Sequence, residues 1–346
     1  MKCIVGMSGG VDSSVSAFLM KERGFEVIGC TFKMFDSEGS KKAVADAQQV
    51  ANFLGVQHEV VDCRDDFKKY VMDYFIDSYS NGLTPNPCVM CNKFLKFKYL
   101  DEIRKKHTAD FMATGHYAII KKATSGVGTD DSVELHRAKD SSRDQSYFLY
   151  ALSQAILSRL VFPLGEYTKP HVRKIAGENG IHVAQKSDSQ DICFIPDNDY
   201  VSFLQQHAAG GFQEGNIVST SGEVLGRHSG VVHYTVGQRR GLGLSGGPFF
   251  VQKIDATRNE IIVSRQKDQE ETVVHLRNVN FINGEFTGDC QAQLRLCGRK
   301  TAASVCRNTD TNGYFIKLHA REFGIAPGQS CVFYADTKVI GGGVIA

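Results

Sequence analysis

The stretch Ser8-Gly9-Gly10-Val11-Asp12-Ser13-Ser14 constrains this chain more than any other. It follows the apolar run Cys3-Ile4-Val5-Gly6-Met7 and precedes Val15-Ser16-Ala17-Phe18-Leu19-Met20, which reads as a helix. Strand, glycine turn and helix in that order bring backbone N–H groups together at the positive end of a helix, where they hold phosphate. Gly9 and Gly10 let the backbone approach a ligand closely, and Ser8, Ser13 and Ser14 add hydroxyl donors. Asp12 is placed to cap the helix or to stand behind a magnesium ion. The turn has no G-x-x-x-x-G-K-[ST] lysine, so it is not a Walker loop presenting a terminal phosphate for hydrolysis.

Residues beyond this unit extend it into a sheet. Strands predicted over 3–7, 26–32, 57–62 and 111–114 alternate with helices over 11–23, 41–54, 67–80 and 97–106. Such alternation predicts an α/β fold, a doubly wound parallel sheet with ligands at the carboxyl ends of its strands. Residues 121–135 read as a polar loop or hairpin, and helical periodicity returns over 144–154 and 169–179 as a helical extension. Beyond residue 208 short apolar or alternating runs (216–220, 231–235, 249–254, 260–264, 331–334 and 338–340) are separated by glycine turns. Two small β-barrel-like domains fit that length better than one sandwich. The expected division is therefore 1–208, 209–268 and 269–346.

Composition narrows the setting. No run approaches the roughly eighteen apolar residues of a membrane helix, so no membrane partner is expected. The net charge of +2 does not mark a polyanion binder, and any nucleic acid would have to be met by local patches and shape. Met1-Lys2-Cys3-Ile4 enters the first strand directly, so no signal peptide is expected, and ten cysteines then point to reduced thiols in a cytoplasm.

Two cysteine sites stand out. In Thr84-Pro85-Asn86-Pro87-Cys88-Val89-Met90-Cys91-Asn92-Lys93 the prolines force a turning backbone, which puts the C-x-x-C on a loop or at a helix start. A helix N-terminus and nearby Lys93 would both favour thiolate there. The second is Cys193, in Lys186-Ser187-Asp188-Ser189-Gln190-Asp191-Ile192-Cys193-Phe194-Ile195-Pro196. By itself a C-x-x-C is compatible with redox chemistry, half a zinc site or part of an iron–sulfur site. Cys3, Cys30, Cys63, Cys290, Cys297, Cys306 and Cys331 lack ligand spacing and read as small buried hydrophobes.

Together with Ala113-Thr114-Gly115-His116-Tyr117, Asp144-Gln145-Ser146-Tyr147-Phe148-Leu149, Thr235-Val236-Gly237-Gln238-Arg239-Arg240-Gly241-Leu242-Gly243 and Pro327-Gly328-Gln329-Ser330, these motifs give the whole chain a resemblance. It resembles the tRNA-specific 2-thiouridylase family, whose first motif is a pyrophosphate loop (PP-loop). The resemblance implies that ATP, with Mg2+, adenylylates the C2 oxygen of the wobble uridine in tRNA, after which sulfur displaces AMP. It implies catalytic roles for Cys91 and Cys193, with Cys193 carrying a persulfide from a sulfur-relay donor protein and a Cys91–Cys193 disulfide left behind. Gly6, Met7, Ser8, Gly9, Gly10, Val11, Asp12, Ser13, Phe32 and Gly115 are expected around ATP. Asn86, Pro87 and Cys88 are expected at the target base, His116 near the substrate, and Arg143, Asp144, Gln145 and Gln329 on the tRNA.

Some family members carry an acidic residue at the position of Cys88, so a base is lacking here, and three cysteines, Cys88, Cys91 and Cys193, could instead hold a [4Fe–4S] cluster. Where the family often has an Arg-Tyr pair, this chain has Cys297-Gly298, leaving Arg299 and Lys300 to meet phosphate. Lys93, Lys96, Lys98, Arg104, Lys105 and Lys106, with Arg239 and Arg240, could line a path for the anticodon stem or simply form a solvated helix face. A target base inside a loop must be unstacked to be reached. The rival readings are a PP-loop ligase or amidotransferase acting on a small metabolite, and a tRNA-binding or iron–sulfur scaffold. Nothing in the sequence points to an obligate oligomer, so a monomer is expected.

Overall fold

A computed structural model describes residues 1–123, 132–186, 192–195, 198–208, 211–309 and 311–346. The polar stretch 125–131, and residues 187–191 and 196 of the second cysteine motif, lie outside the described residues. The N-terminal strands are β1 (Lys2–Gly6), β2 (Glu26–Lys33), β3 (Gln57–Asp62), β4 (Phe111–Ala113), β5 (Ala118–Lys122), β6 (Val133–Arg137) and β7 (Leu160–Val161). β3, β2, β1, β4 and β7 line up in that order as one parallel sheet.

Alternation along β1 explains the two layers of helix. Cys3 and Val5 face one core with Val15, Ala17 and Met20 of α1 (Val11–Glu22) and Ala47 and Val50 of α2 (Glu38–Leu54). Ile4 faces the other, with Phe97, Leu100 and Ile103 of the helix Phe97–Lys106. Burial on both faces is why the central strands are apolar throughout.

The predicted helix over 144–154 is instead a 3-10 turn, Ser146–Phe148, and a single turn, Gln154–Leu157, before β7. Tyr147, Leu149, Tyr150 and Leu152 are all buried. On a helix they would point around its whole circumference, so an irregular path buries them better.

The second half is β structure. β8 (Gly215–Ser219), β9 (Val224–His228), β10 (Phe250–Asp255) and β11 (Glu260–Ser264) form a sheet of order β10-β11-β8-β9. The run predicted as a strand over 231–235 is a 3-10 turn, Val231–His233. β12 (Glu271–Phe281), β13 (Gly288–Gln293), β14 (Lys300–Arg307), β15 (Tyr314–Glu322), β16 (Ser330–Ala335) and β17 (Lys338–Ile345) close into a barrel through the β12–β17 pairing. Closure leaves no free edge among these six strands.

β5 and β6, which hold the described ends of the polar 121–135 region, pair antiparallel and extend the barrel sheet where Lys338 of β17 meets His136 of β6. The cores also merge: Ile282, Val332, Tyr334 and Val339 pack with Tyr147 and Tyr150. The Tyr147 hydroxyl donates to the Ser330 carbonyl at 2.7 Å.

Candidate active site

The glycine turn leaves β1 and starts α1 at Gly10, and serine side chains fasten it. The Ser8 N–H donates to Ser13 Oγ at 3.0 Å, while the Ser13 and Ser14 hydroxyls donate to the Gly10 carbonyl at 3.1 and 2.9 Å. Gly9 has φ +69°, and a Cβ there would stand 2.3 Å from the Ala43 carbonyl oxygen of α2. Gly115, just past β4, closes the other side: a Cβ on it would lie 2.8 Å from the Ser13 nitrogen. Both positions are thus glycine because backbone comes too near for any side chain. Met7 and Val11 are buried beneath the loop.

Asp12 does not cap α1. Its carboxylate accepts from Lys169 Nζ at 2.7 and 2.8 Å and from the Tyr117 hydroxyl at 2.8 Å. A second lysine, Lys186, donates to the Gly9 carbonyl at 2.9 Å and to Asp46 Oδ2 at 2.6 Å. Neither lysine was visible as a loop residue in the sequence.

The thiols are tied to this site through Lys96, which acts both on the sulfurs and on His116, the neighbour of Gly115. Cys91 is buried, whereas Cys88 and Cys193 present surface to solvent. Pro87 at the first turn starts the helix Pro87–Cys91, and a wider π turn, Asn92–Lys96, follows directly. That turn brings Lys96, not Lys93, among the sulfurs: Lys96 feels the charge of Cys91, Cys88 and Cys193. Lys93 lies exposed over the Phe94 ring. Cys193 is held from behind by Phe194, whose ring packs edge-on against Phe67 and Phe75 at 5.5 and 5.6 Å and tilts steeply onto Phe203 at 5.3 Å.

Cys88 and Cys193 keep solvent-facing surface, but the protein packed around their other sides desolvates them as it does Cys91; this raises the pKa of all three thiols, to about 12 for Cys193, and Lys96 opposes the rise at each. Burial works to lower the Lys96 pKa, but the sulfurs outweigh it and the ammonium stays charged. Burial, reinforced by Lys96, holds His116 down to about 3, a neutral imidazole near pH 7. Its Nδ1 is 2.7 Å from Thr114 Oγ1, between the Phe97 and Phe162 rings.

Among the described residues no three His, Cys, Asp or Glu side chains are placed to hold one metal ion. The donor set as arranged does not fit an iron–sulfur cluster.

The other expected residues divide. Phe32 closes β2 in the core, its ring 6.3 Å from that of Tyr99. Gln145 Oε1 accepts from the Tyr117 N–H at 3.0 Å, which links its turn to Asp12 through Tyr117. Asp144 is enclosed, accepting from Arg137 Nε at 2.6 Å and from the Ala138 and Ser146 N–H groups at 3.1 and 3.2 Å. Arg143 is exposed beside it. Gln329 Nε2 donates to the Thr84 carbonyl at 3.3 Å and the Thr84 N–H to that of Pro327 at 2.8 Å, so a barrel loop touches the segment leading to Asn86 and Pro87.

The supposed basic path thins out. Lys98 pairs with Asp66, Arg104 and Lys105 with Asp101, Lys106 with Glu59, and Arg299 with Glu322. Lys300 lies 4.4 Å over the Tyr334 ring centre, and Arg239 and Arg240 are exposed.

Comparison with known proteins finds matches along the length of the chain. Residues 1–197 match the family model described as the tRNA methyl transferase HUP domain, 201–265 its PRC-barrel domain, and 271–345 the aminomethyltransferase beta-barrel domain. The tRNA-specific 2-thiouridylase MnmA 2 of Clostridium botulinum (strain Okra / Type B1) is 41% identical over 99% of both chains. The tRNA-specific 2-thiouridylase MnmA of Clostridium perfringens (strain ATCC 13124) is 42% identical, over 99% of this chain and 98% of its own. The U34-tRNA thiolase NcsA from Methanococcus maripaludis, solved with its [4Fe-4S] cluster, is 19% identical with a TM-score of 0.37, covering 61% of this chain and 67% of its own, a likeness too slight to carry an argument. On the strength of the full-length matches, the chain belongs to the tRNA-specific 2-thiouridylase (MnmA) family.

Proposed function

We propose that this protein is a tRNA-uridine 2-sulfurtransferase, which adenylylates the C2 oxygen of the wobble uridine with ATP and then replaces that oxygen with sulfur. The carrying observation is that a serine- and glycine-built phosphate loop closed by Gly115 is linked, through the neighbouring His116 on which Lys96 acts, to three cysteines sharing that same lysine. The order of steps follows from chemistry: a carbonyl oxygen leaves poorly and AMP leaves well, so activation precedes substitution. The loop at Gly6–Ser13, with Gly115, receives the triphosphate. Mg2+ would come with the phosphates; the loop's one carboxylate, Asp12, is already held through both oxygens by Lys169.

Cys193, facing solvent, receives sulfur as a persulfide from a donor protein. The outer sulfur attacks C2 and AMP departs. The Cys91 thiolate then attacks the Cys193 sulfur, which frees the new C=S group and leaves a Cys91–Cys193 disulfide for a reductant to reopen. Lys96 supports the anionic sulfur at each stage. Asn86 and Pro87 border the base, with neutral His116 as a hydrogen-bonding wall, and Arg143, Gln145 and Gln329 meet the tRNA. The working unit is a cytoplasmic monomer divided as 1–208, 209–268 and 269–346.

A PP-loop ligase for a small metabolite would use the loop and leave the cysteines idle. Pyrophosphate release from ATP separates the readings. Release that requires unmodified tRNA and persists in Cys193→Ser, without thiolation, is expected. Release indifferent to tRNA would sink the proposal.

A further inference from the structure

The PP-loop brings no cation of its own, yet its product, pyrophosphate, carries several negative charges that backbone N–H groups alone balance poorly. Among the described residues, lysine side chains bond to loop atoms from two places, and both come from the segment after β7. Lys169 is 6% exposed and belongs to the helix Lys169–Glu178; its Nζ is engaged by both Asp12 oxygens. Lys186 differs. Its side chain is 34% exposed, and its Nζ bridges the Gly9 carbonyl, at the tip of the loop, to Asp46 of α2.

Resting on the function proposed above, we propose that Lys186 is the pyrophosphate-binding residue of the adenylylation site. Asp46 serves as its resting counter-ion, surrendered when ATP enters. Two observations support this. The Gly9 oxygen fixes the ammonium at the loop's tip, within hydrogen-bond reach of the atoms that would surround the β- and γ-phosphates. The Asp46 carboxylate is a single negative charge at a partly solvated site, and such a pair contributes little, so a polyphosphate competes well against it. Lys169 has a different duty: it orients Asp12, and remains with it.

Lys186 also lies seven positions before Cys193. The residue that meets pyrophosphate therefore stands on the same segment as the residue that delivers sulfur. Pyrophosphate leaves after its bond to the α-phosphorus breaks and uridine O2 takes that phosphorus. Lys186 stabilises the charge gathering on the departing β-phosphate oxygen.

The test uses the whole chain with tRNA and ATP and measures inhibition by two products separately. In Lys186→Gln, which keeps a hydrogen-bond donor and loses the charge, pyrophosphate should inhibit about tenfold more weakly while AMP inhibits as in the unaltered protein. Lys186→Arg should restore most of the difference. Asp46→Asn removes the competing counter-ion and should make pyrophosphate inhibit more strongly, and this variant keeps the question answerable if Lys186→Gln does not fold. Equal pyrophosphate inhibition in the unaltered, Lys186→Gln and Asp46→Asn proteins, or a parallel loss for AMP in Lys186→Gln, would overturn the assignment. Absence of tRNA-dependent pyrophosphate release from the unaltered protein would instead overturn the thiolation reading, and this inference with it.

Discussion

Lys96 is the residue on which the thiol chemistry turns. Its ammonium is the shared opposing charge for Cys88, Cys91 and Cys193, each of which burial pushes toward the neutral thiol. A cation favours the thiolate, so removing it must raise the thiol pKa values further. In Lys96→Met the pH profile for iodoacetamide alkylation of Cys193, followed by mass spectrometry, should move upward by about one pH unit, roughly a tenfold slower reaction at fixed pH. An unchanged profile would show that Lys96 acts elsewhere. His116, held near 3 by burial and Lys96, should add no limb to the profile between pH 5 and 9. The sequence named the three cysteines but chose Lys93 as their cation, because Lys93 is nearer Cys91 along the chain. Only the π turn at Asn92–Lys96 decides which lysine comes round to the sulfurs, and no composition signal marks such a turn.

At the scale of elements, the phosphate site is an approach of β4's end to α1's start. Gly115 permits it: a Cβ there would meet the Ser13 nitrogen at 2.8 Å and the Asp12 carbonyl carbon at 2.9 Å, both backbone atoms that cannot swing away. Gly115→Ala should therefore push α1 off the sheet edge and slow tRNA-dependent pyrophosphate release by tenfold or more, about 1.4 kcal/mol or above in the barrier. A rate within twofold of the unaltered protein would contradict this packing. The strand–turn–helix itself was legible because its signals are local: apolar alternation, two glycines, then helical spacing. The lysines at the loop were not, since Lys169 reaches Asp12 across 157 residues and Lys186 reaches Gly9 across 177. The helix predicted over 144–154 misread apolar density as helical periodicity, when those residues are buried on all sides.

For the whole molecule, the sequence conveyed the succession of an α/β sheet and β-rich units but not how they join. The hairpin β5–β6 interrupts the first unit and adds to the barrel sheet, and Tyr147 and Tyr150 share a core with Val332, Tyr334 and Val339. A pairing between residues as distant as His136 and Lys338 leaves no local trace. The barrel loop at Pro327 and Gln329 is fixed against Thr84, which places that loop relative to the segment carrying Cys88 and Cys91.

Nucleoside mass spectrometry shows whether sulfur is placed on a tRNA uridine after ATP activation. Unmodified tRNA would be incubated with the protein, ATP and a persulfide donor. The expected result is 2-thiouridine at the wobble position, dependent on ATP and absent with Cys193→Ser. Full thiolation without ATP, or undiminished thiolation by Cys193→Ser, would contradict the claim.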